Sequence, residues 1–292
     1  PKKKEKSLPP EFLDSLDEAD LIIDAMFGTG FKGEFRHQWA RYTEALEDYK
    51  DKVLSVDIPS GVGADDGSAA EHSVQASWTV TMGLPKFGLL RQPGMDYTGE
   101  LNIADIGFPD ILTRWKPGQI GLLENSDIAS LLPRRKSSDH KGSAGRLLVL
   151  AGSTGMTGAA VLSSDAALKC GAGLVTLGVP ESLNPILETK LTEVMTLPLP
   201  ETGKGAFSEK SIEPALEFAK QCGALAIGPG VGREETTQKF VQTVIEKYEG
   251  KVVLDADGIY AMAAKQDLLK NKPLVMTPHP GELAHFLDIS IE

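Results

Sequence analysis

The sequence predicts an α/β protein of two three-layer domains, each a parallel sheet between layers of helices. Three observations predict it. Short runs that are apolar throughout alternate with helical segments, the pattern of parallel strands covered on both faces. The alternation comes as two series, separated by an irregular stretch from about residue 108 to 142 that holds Pro109, Pro117, Pro133 and the basic run Arg134-Arg135-Lys136. The 292 residues suit two domains of ordinary size.

The elements follow in order. Residues 21–27, Leu-Ile-Ile-Asp-Ala-Met-Phe, read as a first strand running into glycines, and a helix is expected over about 37–49. Val53 to Ile58 is a second strand, stopped by Pro59-Ser60-Gly61; Trp78 to Met82, β-branched and aromatic, is a third. Residues 99–107 read as a final edge strand. The second series opens with a strand over Leu147–Ala151 and an alanine-rich helix over about 157–170. Strands are expected at 174–177, 224–227, 252–254 and 274–276, with helices between them, the clearest at about 234–248.

Composition narrows the function. The net charge of −11 argues against a nucleic-acid partner, which demands a Lys/Arg excess, but not against nucleotides, because backbone N–H groups in glycine loops hold phosphate unaided. No apolar run reaches the roughly 18–20 residues that span a bilayer. Cys170 and Cys222 sit in apolar helical patterns and read as buried thiols, which points to a reducing, cytoplasmic setting. The start Pro1-Lys2-Lys3-Lys4 reads as a cut end or a solvated loop.

Ligands of open parallel sheets bind beyond the carboxyl ends of the strands. The first such end is Asp24-Ala25-Met26-Phe27-Gly28-Thr29-Gly30-Phe31-Lys32-Gly33-Glu34, equally a phosphate-binding loop, helped by Lys32, or a plain glycine turn. The second is Asp57-Ile58-Pro59-Ser60-Gly61, a carboxylate and a hydroxyl suited to proton transfer, ribose or a cation, or simply an Asp-initiated turn. Asp24 and Asp57 at neighbouring strand ends would favour a bound cation or a raised pKa.

Together with Lys86 and Asp105-Ile106-Gly107, these motifs resemble the NAD(P)H-hydrate epimerase family over about residues 18–110. The resemblance implies that Gly28, Thr29, Gly30, Phe31, Lys32, Gly33 and Glu34 bind a hydrated dinucleotide and that Asp57 contacts it. It also implies a potassium ion at Asp24 and Ser60. Asp57, by its position, is the candidate base at the hydrated carbon.

The second series carries His140-Lys141-Gly142-Ser143-Ala144-Gly145, then Ala151-Gly152-Ser153, and Gly155-Met156-Thr157-Gly158-Ala159-Ala160 opening a small-residue helix. Small residues there serve an anion at the helix N-terminus or close helix–sheet packing, the latter preferred for Ala166 and Ala167. Gly228-Pro229-Gly230-Val231-Gly232, Leu254-Asp255-Ala256-Asp257-Gly258 and Thr277-Pro278-His279-Pro280-Gly281-Glu282 end three further strands. His279 reads as functional rather than structural, and metal binding is disfavoured because no second His or Cys sits at ligand spacing.

In order, these motifs resemble the ADP- or ATP-dependent NAD(P)H-hydrate dehydratases of the ribokinase-like superfamily, from about Glu124 to the end. That implies hydrate contacts at Ala159, Gly230 and His279; Asp255 and Asp257 are secondary candidates, for organising cation or phosphate. The whole chain thus resembles a bifunctional NAD(P)H-hydrate repair enzyme: a Rossmann-like epimerase part over 1–112, a linker over 113–123 and a ribokinase-like dehydratase part over 124–292. No Asn precedes Asn102 and no Gly-x-Gly-Asp occurs, so both parts are expected to be incomplete, with exposed edge strands and apolar faces. The implied reaction interconverts the R and S hydrates of NADH and NADPH. It then dehydrates the S form using ADP or ATP, with Mg2+, in a homo-oligomer without nucleic-acid or membrane partners. A ribokinase-like small-molecule kinase or a non-catalytic nucleotide-binding module are the alternatives.

Overall fold

The computed structural model describes residues 8–114, 120–132 and 144–290. The Pro1–Lys4 start, Pro117, Pro133, Arg134–Lys136 and the His140–Ser143 motif lie outside them. The chain divides into two compact units, Pro1–Glu124 and Asn125–Glu292. Among the described residues no helix is long and apolar enough to cross a membrane.

The first unit opens with α1 (Pro10–Glu18), started by a proline whose fixed φ suits the first helical turn. β1 (Ile22–Asp24), α2 (His37–Glu44), β2 (Val53–Val56), β3 (Trp78–Met82), α3 (Met95–Thr98), β4 (Glu100–Ala104) and α4 (Asp110–Thr113) follow. The four strands are parallel and lie in sequence order, with β4 at an edge as expected. β1 is shorter than the apolar run suggests, because residues 25–27 leave the sheet to begin the glycine loop. The helix expected to Tyr49 ends at Glu44 and gives way to a 3-10 turn over Glu47–Lys52.

The second unit contains α5 (Asn125–Leu131), β5 (Arg146–Leu150), α6 (Thr157–Lys169), β6 (Leu174–Pro180), α7 (Asn184–Lys190), β7 (Met195–Leu199) and α8 (Ile212–Ala219). It continues with β8 (Ala224–Ile227), α9 (Glu235–Lys247), β9 (Lys251–Leu254), α10 (Asp257–Met262), β10 (Leu274–Met276) and α11 (Pro280–Leu287). Its parallel sheet has the order β10-β9-β8-β5-β6-β7. Alternate residues of β5 enter opposite cores: Leu148 and Leu150 join Phe240 and Ile245 of α9, while Val149 packs with Ala160 of α6 and Leu187 of α7. Helices therefore cover both faces, which is why the strand is apolar throughout. The inner side of α9 reads Thr237, Phe240, Val241, Val244, Ile245, the spacing of one helical face.

Cys170 is exposed and Cys222 only half-buried, so the expectation of two buried thiols is not met: Cys170 caps the C-terminus of α6, beyond its packed turns. Exposed apolar side chains do occur at sheet edges and on a helix: Ile23 of β1, Val275 of β10 and Leu162 of α6 are 63%, 60% and 73% exposed.

Candidate functional site

In the first unit the ends of β1 and β2 are tied through Asp24, which is 2% exposed. One carboxylate oxygen accepts from Ser60 Oγ at 2.6 Å and Met26 N at 3.3 Å; the other accepts from Ser60 N at 2.8 Å and Ser55 Oγ at 2.9 Å. Ser60 Oγ also accepts from Phe27 N at 2.9 Å. Asp24 and Ser60 thus meet, as the potassium expectation required. The carboxylate, however, already has four protein donors, which fill its acceptor positions. As arranged, the pair clamps two loops together and fits a cation only in part.

Beyond β1 the glycine loop borders a cleft of about 470 Å³. Gly28, Gly30, Phe31, Lys32 and Glu34 line it, with Met26, Phe27, Phe35, Arg36 and Trp39. Thr29 and Gly33 belong to the loop but not to the lining. Phe27 contacts the rings of Phe31, Phe35 and Trp39 at 5.5, 5.5 and 5.7 Å between centroids, edge-on or tilted. Such a wall offers apolar faces to a flat ring. Lys32 is exposed, 4.0 Å from Asp65, and Glu34 accepts from Glu71 N at 2.9 Å. Sequence reasoning passed over Phe35, Arg36 and Trp39, although aromatics recur every four residues from Phe27 to Trp39.

Asp57 stands at the end of β2 with φ of +69°, a left-handed conformation that non-glycine residues seldom adopt outside turns and functional sites. Its Oδ1 accepts from Met82 N at 3.0 Å, Thr81 Oγ at 3.2 Å and Lys86 Nζ. Burial pushes its carboxyl up, but the Lys86 bond, the Met82 N–H, the Lys86 charge and the Thr81 hydroxyl together hold it below the ordinary value. The raised pKa expected from an Asp24–Asp57 pairing is therefore not found, because the charged neighbour of Asp57 is a lysine.

In the second unit β6 and β7 lie to one side of β5, and β8, β9 and β10 to the other, so the topology reverses between β5 and β8. Ligands of doubly wound sheets bind at such a switch point. There the Gly152 N–H donates to the Pro229 carbonyl at 2.9 Å and Ser153 Oγ to the Gly230 carbonyl at 2.8 Å. Gly230 has φ of +63°, and a Cβ on it would lie 2.9 Å from Met156 Cβ and 3.0 Å from Ala159 Cβ. Only glycine fits that approach, and the structure thereby brings together two predicted residues, Ala159 and Gly230. At Gly228 an added Cβ would meet the Asp255 carbonyl at 1.9 Å, which ties the β8 loop to the β9 loop.

His279 is on the same rim, beyond β10 and two strands from β8. Its Nδ1 accepts from Gly281 N at 3.0 Å and Glu282 N at 3.3 Å, while Glu282 accepts the His279 N–H at 3.0 Å. It is thus the N-cap of α11 in a reciprocal capping box, with a ring still 68% exposed. The other candidates are engaged within the protein. Asp257 accepts from Gly232 N at 3.1 Å and Arg233 Nε at 2.8 Å; Asp255 accepts from Thr277 Oγ at 2.8 Å. Among the described residues no group of three or more His, Cys, Asp or Glu could hold a metal ion.

The family model for NAD(P)H-hydrate dehydratase matches residues 147–292, and that for the YjeF-related protein N-terminus matches residues 2–88. A bifunctional NAD(P)H-hydrate repair enzyme from Moorella thermoacetica is 44% identical over 271 residues, covering 92% of this chain and 51% of the relative. Its counterparts from Thermofilum pendens and Escherichia coli are 36% and 32% identical, over 94% of this chain and 52% and 50% of theirs. The chain spans about half the length of the curated relatives it matches. Among solved structures, an ADP/ATP-dependent NAD(P)H-hydrate dehydratase from Bacillus subtilis, co-crystallised with ATP and Mg2+, is 31% identical with a TM-score of 0.43, covering 56% of this chain and 54% of that one.

Proposed function

As this chain belongs to the NAD(P)H-hydrate dehydratase family, we propose that the protein repairs NADH and NADPH that have gained water. Its first unit would interconvert the R and S hydrates and its second would return the S hydrate to the reduced dinucleotide. The observation that carries the reading is the location of Ala159 and Gly230, packed against one another at the switch point of the second sheet, the place where doubly wound sheets bind their ligands. The division assigned is 1–112 to the epimerase part, 113–123 to the linker and 124–292 to the dehydratase part.

In the first unit the aromatic cleft would receive the dinucleotide, with Gly28 to Glu34 as its rim. Inverting a carbon that bears a hydroxyl requires a bond to be broken and remade, hence a group that takes a proton and returns it. Asp57 is that group in this proposal. Asp24 and Ser60 would lend oxygens to potassium, which supplies fixed positive charge when bound, but the filled carboxylate leaves most of such a shell to other groups, and no step here runs through the ion.

In the second unit Ala159, Gly230 and His279 would hold the S hydrate. A phosphoryl group passed from ADP or ATP to its hydroxyl converts a poor leaving group into phosphate. Loss of that phosphate and of a ring proton restores the double bond. Positioning and charge stabilisation do most of the work in such a transfer. No described residue is assigned to the nucleotide or its magnesium. The same reading makes the protein a cytoplasmic homo-oligomer without membrane or nucleic-acid partners.

The test is recovery of reduced-nicotinamide absorbance from racemic NADH hydrate by the full-length protein, with and without ADP or ATP. Complete nucleotide-dependent recovery is expected. Recovery that stops at half removes the epimerase, and none with either nucleotide removes the repair reading.

A further inference from the structure

Asp57 is bonded asymmetrically. Oδ1 takes all three donors, Lys86 Nζ, Met82 N and Thr81 Oγ, whereas Oδ2 accepts no hydrogen bond from any described residue. Lys86 is as fully committed. Its ammonium has three protons, and these meet Asp57 Oδ1, Thr81 Oγ at 3.0 Å and the Met82 carbonyl at 3.1 Å. The two side chains are 20% and 26% exposed, so neither is a freely solvated surface partner. Thr81, fully buried, fixes the third corner.

We infer that Lys86 is a positioning residue for the epimerase: it locks Asp57 through Oδ1 and leaves Oδ2 alone to exchange a proton with the hydrate. The inference rests on the epimerase reading above. A purely structural ion pair does not account for the arrangement. A carboxylate held only for stability gains nothing from a left-handed backbone, where glycine is the less strained choice and where strain clusters at functional sites, nor from one oxygen left without a protein donor at a strand end. Lys86 is also the one charged side chain bonded to Asp57 among the described residues, and together with the Met82 N–H and the Thr81 hydroxyl it holds the carboxyl below its ordinary value against the opposing effect of burial.

The sign follows. With Lys86 removed, burial remains while both its hydrogen bond and its charge vanish, so the Asp57 carboxyl rises. A base acts only when deprotonated, so the acid limb of kcat moves to higher pH.

The experiment uses the full-length protein and the resolved R hydrate of NADH, without nucleotide, and follows appearance of the S hydrate from pH 4 to 9. For Lys86→Met we expect kcat to fall by about 100-fold, the cost of a misplaced reacting group, with KM changed little and the acid limb displaced upward. Lys86→Arg, which keeps the charge but not the three-cornered geometry, should restore the limb and only part of kcat. Unfolding midpoints confirm that both variants fold. A Lys86→Met protein with wild-type kcat and pH profile, beside an active wild type, overturns the inference; so does Lys86→Arg behaving like Lys86→Met in both readouts. A wild type that does not epimerise overturns the epimerase reading instead.

Discussion

Gly230→Ala tests the switch point most directly. At φ of +63° an L side chain pays about 1–2 kcal/mol for its Cβ against the following carbonyl. The new methyl would sit 2.9, 3.0 and 3.1 Å from Met156 Cβ, Ala159 Cβ and the Met156 carbonyl, so the start of α6 must shift. Overpacking of that kind costs about 1–3 kcal/mol. The unfolded chain returns about 0.4–1 kcal/mol, since alanine is stiffer than glycine there. A net loss of about 1–4 kcal/mol follows, which at a urea slope of about 1–3 kcal/mol/M lowers the midpoint by roughly 1 M. Circular dichroism should register the loss. Adding Ala159→Gly removes the 3.0 Å contact and should recover part of the loss, together with part of the rise in KM for the S hydrate. Unchanged stability and KM in Gly230→Ala, or no recovery in the double variant, would refute the close-approach argument.

Asp24→Asn turns one buried acceptor into a donor facing Ser60 and Ser55, and should cost about 2–4 kcal/mol, seen in tryptophan-monitored unfolding; a change under about 0.5 kcal/mol would deny the clamp. His279→Asn keeps a good N-cap but removes the ring. Stability should hold while KM for the S hydrate rises, and an unchanged KM reduces His279 to a helix cap. Asp57→Asn should lower epimerisation by at least about 100-fold with its unfolding midpoint intact, and retained activity takes Asp57 out of the role of base.

Much of this molecule is legible locally. β3, β8 and β10 span the residues their apolar and β-branched runs delimit, because such side chains favour extended backbone, and glycine or proline shortly after the run ends it. The strand-end motifs, with Asp24, Gly28–Glu34, Asp57, Gly230 and His279, were legible for the same reason: irregular polar residues after a buried strand stand out. β7 was missed because Pro198 interrupts it. A proline is tolerated there since β7 pairs with β6 alone and the strand is an edge.

What tertiary structure alone decided is who meets whom. That β8 pairs with β5 rather than with β7, creating the switch point, depends on which helix covers which face, and no local pattern encodes it. That Asp57 faces Lys86, 29 residues on, rather than Asp24 reverses the direction of its pKa. That Cys170 falls outside the core depends on where α6 stops packing. Periodicity reports which residues are buried; the partner of a charge or the neighbour of a strand is a long-range contact, set only when the layers close on one another.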